Sequence, residues 1–167
     1  MHNLLSKRWE KRAKGDKGFT LIELLVVVVI LGVLIAIAIP LYLNYRKGAN
    51  DASAQSDMRN AINVLEQCNT DNGSYPTAAV PASAPWGSAT ASTANVAGTC
   101  LLQKINLSNG TQMAYTPASS AGASYVIVDS NANGAGKYYC YNSTAGGAVK
   151  TIAPPAQTLA SAVTTGC

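Results

Sequence analysis

A long apolar run near the N-terminus is the strongest pattern in the chain. Between residues 21 and 39, Glu23 is the only polar side chain. A helix that crosses the ~30 Å hydrocarbon core of a bilayer needs about 20 residues. The stretch from Phe19 to Tyr42 supplies that length. The pattern therefore predicts a membrane-spanning helix.

From Ala49 onwards the apolar positions become periodic. They follow the i, i+3, i+4, i+7 spacing of an amphipathic helix and comprise Ala54, Met58, Ala61, Ile62, Leu65 and Cys68. The polar residues between them are predicted to face away from this stripe: Asp57, Arg59, Asn60, Asn63 and Glu66. One helix is thus predicted from about Phe19 to Asn69, ended by the turn sequence Asp71-Asn72-Gly73.

Short β-prone runs and small-residue loops fill the remainder. Residues 74–99 predict a surface loop with one short helical turn, and Trp86 either anchors that loop to the core or marks a binding surface. Strands are predicted at Leu101–Asn106, Gln112–Thr116, Ser124–Asp129, Lys137–Asn142 and Ala148–Ile152. Asn131–Gly136 and Ala145–Gly147 read as turns, and the tail from Ala153 reads as loop. The expected fold is α+β, with an antiparallel meander of three to four strands packed on the amphipathic helix.

Charge is concentrated at the N-terminus. Residues 1–18 carry six Lys and Arg against two acids, and the rest of the chain is balanced, so the net charge of +4 lies in those eighteen residues. A basic segment before an apolar run predicts that the N-terminus stays inside and the C-terminus lies outside. Because the body of the chain has no basic excess, nucleic-acid binding is disfavoured and no such site is identified.

Glu23 is costly where it stands, since a carboxylate in hydrocarbon costs about 2.5–3.5 kcal/mol on insertion scales. It can lie at the interface and reach water, or it can pair with a cation of another subunit. A free α-amine on Phe19 would be such a cation, and it requires a cut between Gly18 and Phe19. A cleaved secretory signal peptide is an alternative, but it leaves Glu23 unexplained, and no small-residue cleavage site closes the apolar run.

The segment Lys17-Gly18-Phe19-Thr20-Leu21-Ile22-Glu23-Leu24-Leu25 resembles the class III signal of type IV prepilins and pseudopilins. The resemblance implies the type IV pilin fold, cleavage after Gly18 by a prepilin peptidase, and N-methylation of Phe19. It also implies that Glu23 of one subunit neutralises the Phe19 amine of a neighbour in a filament. The leader is longer than in the commonest pilin subclass, whereas Phe19 is typical of that subclass, so the subclass stays open.

Three regions follow from this resemblance: a cleaved basic leader (1–18), a transmembrane and filament-core helix (19–45), and an amphipathic helix with a globular head (46–167). Pro40 lies inside the predicted helix, where proline kinks or locally melts the backbone, and Gly32 is a second weak point. In a filament, melting between these two residues would let the subunit stretch. A simple kink set by packing is the alternative.

The implied role is structural. The chain would be a type IV pilus subunit that self-assembles for adhesion, motility or DNA uptake, after passing from membrane lipid through the inner-membrane pilus assembly machinery to the cell surface. A type II secretion pseudopilin is the alternative, supported by the stretch Asp71-Asn72-Gly73-Ser74-Tyr75-Pro76-Thr77, which is common in major pseudopilins. An uncut, monomeric, single-pass domain that binds a ligand is the third reading.

Four cysteines lie on the predicted outer side of the membrane, where disulfides are favoured over zinc because no histidine is near them. The favoured pairing is Cys68–Cys100 with Cys140–Cys167, the second closing a C-terminal loop as many pilins do. The pairing Cys68–Cys140 with Cys100–Cys167 is the rival.

A weak calcium signal precedes Cys140. Asp129, Asn131 and Asn133 fit the first half of a calcium loop, but Cys140 occupies the place of the bidentate Glu that the loop needs, so an Asn/Gly turn is the expected structure. No nucleophile, phosphate-binding or metalloprotease motif is present in the sequence. The chain is therefore not expected to be an enzyme or to use a cofactor.

Overall fold

The structure is a computed structural model that describes residues 18–80, 85–87, 92–95, 100, 103–118, 121–152, 159 and 167. The chain divides into two compact units, Met1–Tyr42 and Leu43–Cys167. The second unit is called the head below. Residues 1–17 of the predicted leader and most of the predicted tail lie outside the described residues.

A single helix, α1, spans Leu21–Asn72 and starts with a reciprocal cap. The Thr20 hydroxyl accepts the Glu23 N–H at 3.3 Å, and the Glu23 carboxylate accepts both the N–H and the hydroxyl of Thr20 at 2.8 Å. At the other end, Gly73 adopts φ +73° and donates its N–H to the Asn69 carbonyl at 2.8 Å. These contacts satisfy backbone groups that a helix terminus leaves unpaired.

The helix is continuous through Gly32, Pro40 and Gly48. Pro40 therefore does not melt the helix in the single chain, and stretching in a filament stays a prediction about the assembled state. The predicted C-terminal turn is confirmed, with the helix extending to Asn72 rather than Asn69.

The predicted apolar stripe of α1 forms the centre of the core. Ala54, Met58, Ala61, Leu65 and Cys68 are fully buried, and Ile62 is partly buried. The outward orientation predicted for Asp57 is wrong, because its exposed fraction is 4%. Asp57 comes three residues after Ala54 and four before Ala61, so it shares their helical face. Glu66 is also half-buried rather than solvent-facing.

Six strands complete the fold: β1 (Ser92–Asn95), β2 (Lys104–Leu107), β3 (Thr111–Pro117), β4 (Tyr125–Asn131), β5 (Tyr138–Asn142) and β6 (Lys150–Ile152). β3 to β6 pair in chain order as a four-stranded antiparallel meander, whereas β1 and β2 form a separate antiparallel pair. The α+β prediction is confirmed. Four predicted strands match within two residues at each end, and β4 runs on to Asn131.

The first predicted strand, Leu101–Asn106, does not join the meander. Its described part belongs to β2 and pairs with β1, which lies inside the stretch predicted as loop. That stretch also contacts the sheet, through bridges from Val80 to Tyr115 and from Trp86 to Met113. The loop prediction for 74–99 is therefore wrong in part, because backbone pairing with β2 and β3 overrides a composition typical of loops.

The sheet buries both of its faces. One face packs on α1, and Met113, Tyr115, Tyr125 and Ile127 contribute to that main core. The other face forms a smaller cluster of Ala114, Val128, Cys140 and Leu159. This alternation along the strands is the period-two pattern of a pleated sheet.

Candidate functional site

The Gly18–Phe19 bond lies on an exposed stretch of chain just before α1. Gly18 precedes the helix, and no atom lies within 4 Å of the Cβ that a side chain would add there. Phe19 is 82% exposed. Among the described residues, no packing contact demands glycine at position 18.

Glu23 already has a local partner in the single chain. Its carboxylate is held by Thr20, as described for the start of α1. This capping role was missed from the sequence, although Thr-x-x-Glu before an apolar run is its signature. The contact compensates part of the cost of a carboxylate at this position. It adds a third explanation for Glu23 beside interfacial hydration and pairing with an amine.

The apolar half of α1 has no covering surface among the described residues. The large apolar side chains from Phe19 to Tyr45 are between 45% and 83% exposed, and they lie on all sides of the helix. This helix is long and apolar enough to cross a membrane. A helix that is apolar all round must be covered by lipid or by other protein.

In the head, Glu66 joins the helix to two tyrosines. Its carboxylate accepts the Tyr75 hydroxyl at 2.8 Å and the Tyr125 hydroxyl at 3.0 Å. Burial, and then the Glu66 charge, raises the pKa of Tyr75 to about 12. The same two causes raise the pKa of Tyr125 well above its ordinary value. Both hydroxyls therefore stay protonated and donate to Glu66 at neutral pH.

Two aspartates of α1 hold turns of the sheet. Asp57 accepts both the N–H and the hydroxyl of Ser108, at 2.7 and 3.0 Å, in the turn between β2 and β3. Asp51 accepts the Ala135 N–H at 3.0 Å in the turn between β4 and β5, and Lys137 Nζ lies 3.9 Å from its other oxygen. These contacts explain why both acids point into the head rather than into solvent.

Asp129 is different, because it is buried without a partner. Its exposed fraction is 0%, and neither carboxylate oxygen has a hydrogen-bond partner among the residues that the structure describes. Burial, with a smaller contribution from the Asp57 charge, raises its pKa well above the ordinary value. The nearest strand neighbours of Asp129 are Met113 on β3 and Tyr139 on β5.

One residue of the calcium candidate, Asn131, uses its side chain within the turns of the sheet. Asn131 uses its amide to bridge the turns, donating to the Asn109 carbonyl at 2.9 Å, and its side-chain oxygen accepts the Asn133 N–H at 2.9 Å. This is the Asx-turn geometry expected of an Asn/Gly turn. Within the described ranges, no group of three or more His, Cys, Asp or Glu side chains is placed to hold a metal ion.

The cysteines pair as favoured from the sequence. Cys68 is bonded to Cys100 and Cys140 to Cys167, with Cα–Cα distances of 5.6 and 5.8 Å. The first bond ties the chain before β2 to α1, and the second ties the C-terminal residue to β5. Trp86 acts as an anchor, as predicted, because its backbone pairs with Met113 and its ring stacks on Tyr115 at 6.0 Å.

A family model of known proteins matches the N-terminal part of the chain. Residues 13–39 match the family model of the prokaryotic N-terminal methylation motif. This match covers the Gly18–Phe19 bond and the Thr20–Glu23 cap, and it confirms the resemblance predicted from the sequence.

The similar curated proteins include both pilus subunits and secretion proteins. The chain is 46% identical over 62 residues to the type IV wide pilus major component PilA4 of Thermus thermophilus, covering 37% of this chain and 47% of that protein. It is 39% identical over 67 residues to type II secretion system core protein G of Vibrio cholerae, covering 40% and 46%. It is 46% identical over 56 residues to the type IV major fimbrial protein FimA of Dichelobacter nodosus, covering 34% and 36%.

The chain thus spans less than half the length of these relatives. No solved structure matches it. The similarity supports the apolar helix and its start, and the head is known here from its own structure.

Proposed function

We propose that this chain, which carries the N-terminal methylation motif found in type IV pilins and pseudopilins, is a structural subunit that polymerises through α1 into a type IV pilus. The exposure of apolar side chains on every side of the first half of α1 carries the proposal. Such a helix requires a dry environment on all its faces. Lipid supplies that environment before assembly, and copies of the same helix supply it in a filament core.

The open geometry at the start of α1 supports the proposed processing. A prepilin peptidase would cut between Gly18 and Phe19 on the cytoplasmic side and methylate the new amine. Residues 1–18 would leave as the leader, residues 19–45 would form the filament core, and residues 46–167 would form the exposed part of the subunit. The basic leader supports an orientation with the N-terminus inside.

Glu23 would make one contact in the single chain and a second one in the filament. In the single chain it caps α1 through Thr20. In the filament it would also face the methylated amine of Phe19 from a neighbouring subunit. Removing one partner of a buried charge pair costs about 3–5 kcal/mol, so the pair would fix the register of each incoming subunit.

A pseudopilin of type II secretion is the second candidate, because several similar proteins carry that name. The shared stretch around Tyr75 and Pro76 does not separate the two. Tyr75 binds Glu66, and the Pro76 carbonyl accepts the Tyr115 hydroxyl at 2.6 Å, so the stretch is part of the core. A core motif of this kind suits either role.

Mass spectrometry of material sheared from the cell surface separates these roles. A pilus subunit gives abundant peptide that begins with monomethylated Phe19. A pseudopilin gives the processed chain in the cell envelope and little in the sheared fraction. Recovery of only uncut Lys17-Gly18-Phe19 would contradict both candidates.

Substitutions at Glu23 test the assembly mechanism. Gln can replace Glu in a capping box, so Glu23→Gln retains the cap and removes the charge, whereas Thr20→Ala removes the cap and retains the charge. We expect Glu23→Gln to abolish or greatly impair filaments while membrane insertion survives, and Thr20→Ala to assemble. Normal filaments from Glu23→Gln would refute charge pairing and leave capping as the role of Glu23.

A further inference from the structure

A groove in the head lies between α1, β5 and the connection from β5 to β6. Its volume is about 440 Å³, which is within the range of about 300–1,000 Å³ typical of small-ligand sites. All of its lining residues belong to the head, and they enclose one continuous space. The groove is therefore a single candidate binding surface.

One wall of the groove is polar. Gln55, Arg59 and Asn63 follow one another at intervals of four residues, so they form a stripe along one face of α1. From Gln55 to Asn63 the stripe is about 12 Å long at 1.5 Å per residue. No hydrogen bond or ion pair joins these three side chains to other residues that the structure describes. The wall thus offers one guanidinium between two carboxamides.

The rest of the lining is mostly apolar. Ile62 and Val149 are partly buried against the main core, so each still exposes part of its side chain to the groove. Tyr141 is 8% exposed, and its ring lies 5.7 Å from that of Tyr125. Because Ile62 comes three residues after Arg59, it is a neighbour of Arg59 on the surface of α1. The groove therefore places an apolar patch beside its positive charge.

We propose that this groove binds the C-terminal end of a partner polypeptide whose last residue is apolar. Such a residue carries a carboxylate, a backbone amide and an apolar side chain on one Cα. The Arg59 guanidinium can donate two parallel hydrogen bonds to the carboxylate. Gln55 and Asn63 can both donate to and accept from a peptide backbone. At about 3.3 Å per extended residue, the polar stripe spans about three to four residues of such a peptide.

Two other kinds of carboxylate match the lining less completely. A sugar acid such as glucuronate surrounds its carboxylate with hydroxyls, so it would leave Ile62 and Val149 against polar groups. An internal Asp or Glu of a polypeptide can reach Arg59, but it does not bring an apolar side chain on the same Cα. A C-terminal apolar residue is the ligand that uses the charge, the carboxamides and the apolar patch together.

Isothermal titration calorimetry with full-length chain in a neutral detergent tests this binding, and unassembled chain keeps the result independent of the proposed filament. The probe is the acetylated peptide Gly-Ser-Gly-Ser-Leu with a free C-terminal carboxylate. It should bind at least about tenfold more tightly than the same peptide with a C-terminal amide, because the amide removes the charge-assisted contact. Replacing the last Leu of the peptide with Ser should also weaken binding.

Substitutions in α1 place the binding in the groove. Arg59→Gln should reduce the affinity for the free-acid peptide to that for the amide, whereas Arg59→Lys keeps the charge without the planar fork and should bind with intermediate affinity. Asn63→Ala should weaken binding several-fold. The matched control is Asn60→Ala, because Asn60 is exposed on α1 and does not line the groove.

Equal affinities for the free-acid and amide peptides, or equal effects of Asn60→Ala and Asn63→Ala, would overturn the proposal. Binding of glucuronate without binding of the free-acid peptide would overturn a polypeptide C-terminus as the ligand.

Discussion

Asp129 presents an unpaired carboxyl group to the interior of the head, on the same side of β4 as Tyr125 and Ile127. Its two oxygens are buried and make no hydrogen bond. The titratable groups that act on this site are Asp57 from α1 and Tyr139 from β5. Because both can carry only negative charge, neither stabilises an ionised Asp129, and the group stays protonated to a pH well above its ordinary pKa.

The consequence for stability has a definite sign. A raised pKa means that the folded chain holds this proton more tightly than the unfolded chain does. Asp129 therefore makes no pH-dependent contribution below the unfolded-state pKa of about 3.9, and the free energy of unfolding falls as the pH rises towards the raised pKa. Within that window the loss is about 1.4 kcal/mol per pH unit for one proton. Above the raised pKa the loss is constant.

Asp129→Asn should remove this slope, because an amide does not titrate. The measurement is urea unfolding of the full-length chain in detergent at a series of pH values, with near-UV circular dichroism reporting the tertiary packing. The buried amide introduces donors without partners, at a cost of about 1–3 kcal/mol. The test therefore compares the slopes of stability against pH for the two chains, not their stabilities at one pH. Asp129→Leu avoids those donors and should also abolish the slope.

Asp71→Asn is the matched control, because Asp71 is exposed. This substitution should keep the wild-type dependence of the free energy of unfolding on pH. The reasoning would be refuted if wild type and Asp129→Asn lost stability equally between pH 4 and neutrality. That result would mean that water or a partner reaches the Asp129 carboxyl in solution.

Two further predictions concern the contacts that hold the head on α1. Glu66→Ala leaves the Tyr75 and Tyr125 hydroxyls without an acceptor and should lower the free energy of unfolding by about 1–3 kcal/mol for each hydroxyl. Gln67→Ala, on the exposed face of α1, should change that free energy little. Equal effects of the two substitutions would contradict a stabilising role of the Glu66 hydrogen bonds. Replacing Cys68 and Cys100 together with Ser opens a crosslink between residues 32 apart in sequence and should cost about 3–4 kcal/mol, measured by denaturant unfolding; unchanged stability would show that the bond does not constrain the unfolded chain.

The elements that could be predicted from the sequence are those in which a single environment sets the pattern of apolar residues. The apolar half of α1 is recognisable because every side chain between residues 24 and 39 must suit the same dry environment. The strands of the meander are recognisable because alternate residues serve a buried face. The capping box at Thr20 and Glu23 is equally local, because its signature spans only four residues.

The tertiary structure decided which polar groups are inside. Asp57, Glu66 and Asp129 look like surface residues in the sequence. Each is partly or fully buried, because α1 and the sheet pack together on the sides where these residues lie. The bridges from Val80 to Tyr115 and from Trp86 to Met113 also join residues that are distant in sequence.

The sequence by itself therefore determined the long apolar helix, the N-terminal methylation motif at its start and the class of the fold, since these follow from local spacing. The burial of three acids, Asp51, Asp57 and Asp129, was decided only when α1 and the sheet came together. Accessibility depends on contacts between residues far apart in the chain, and a count of charges along the sequence does not contain that information.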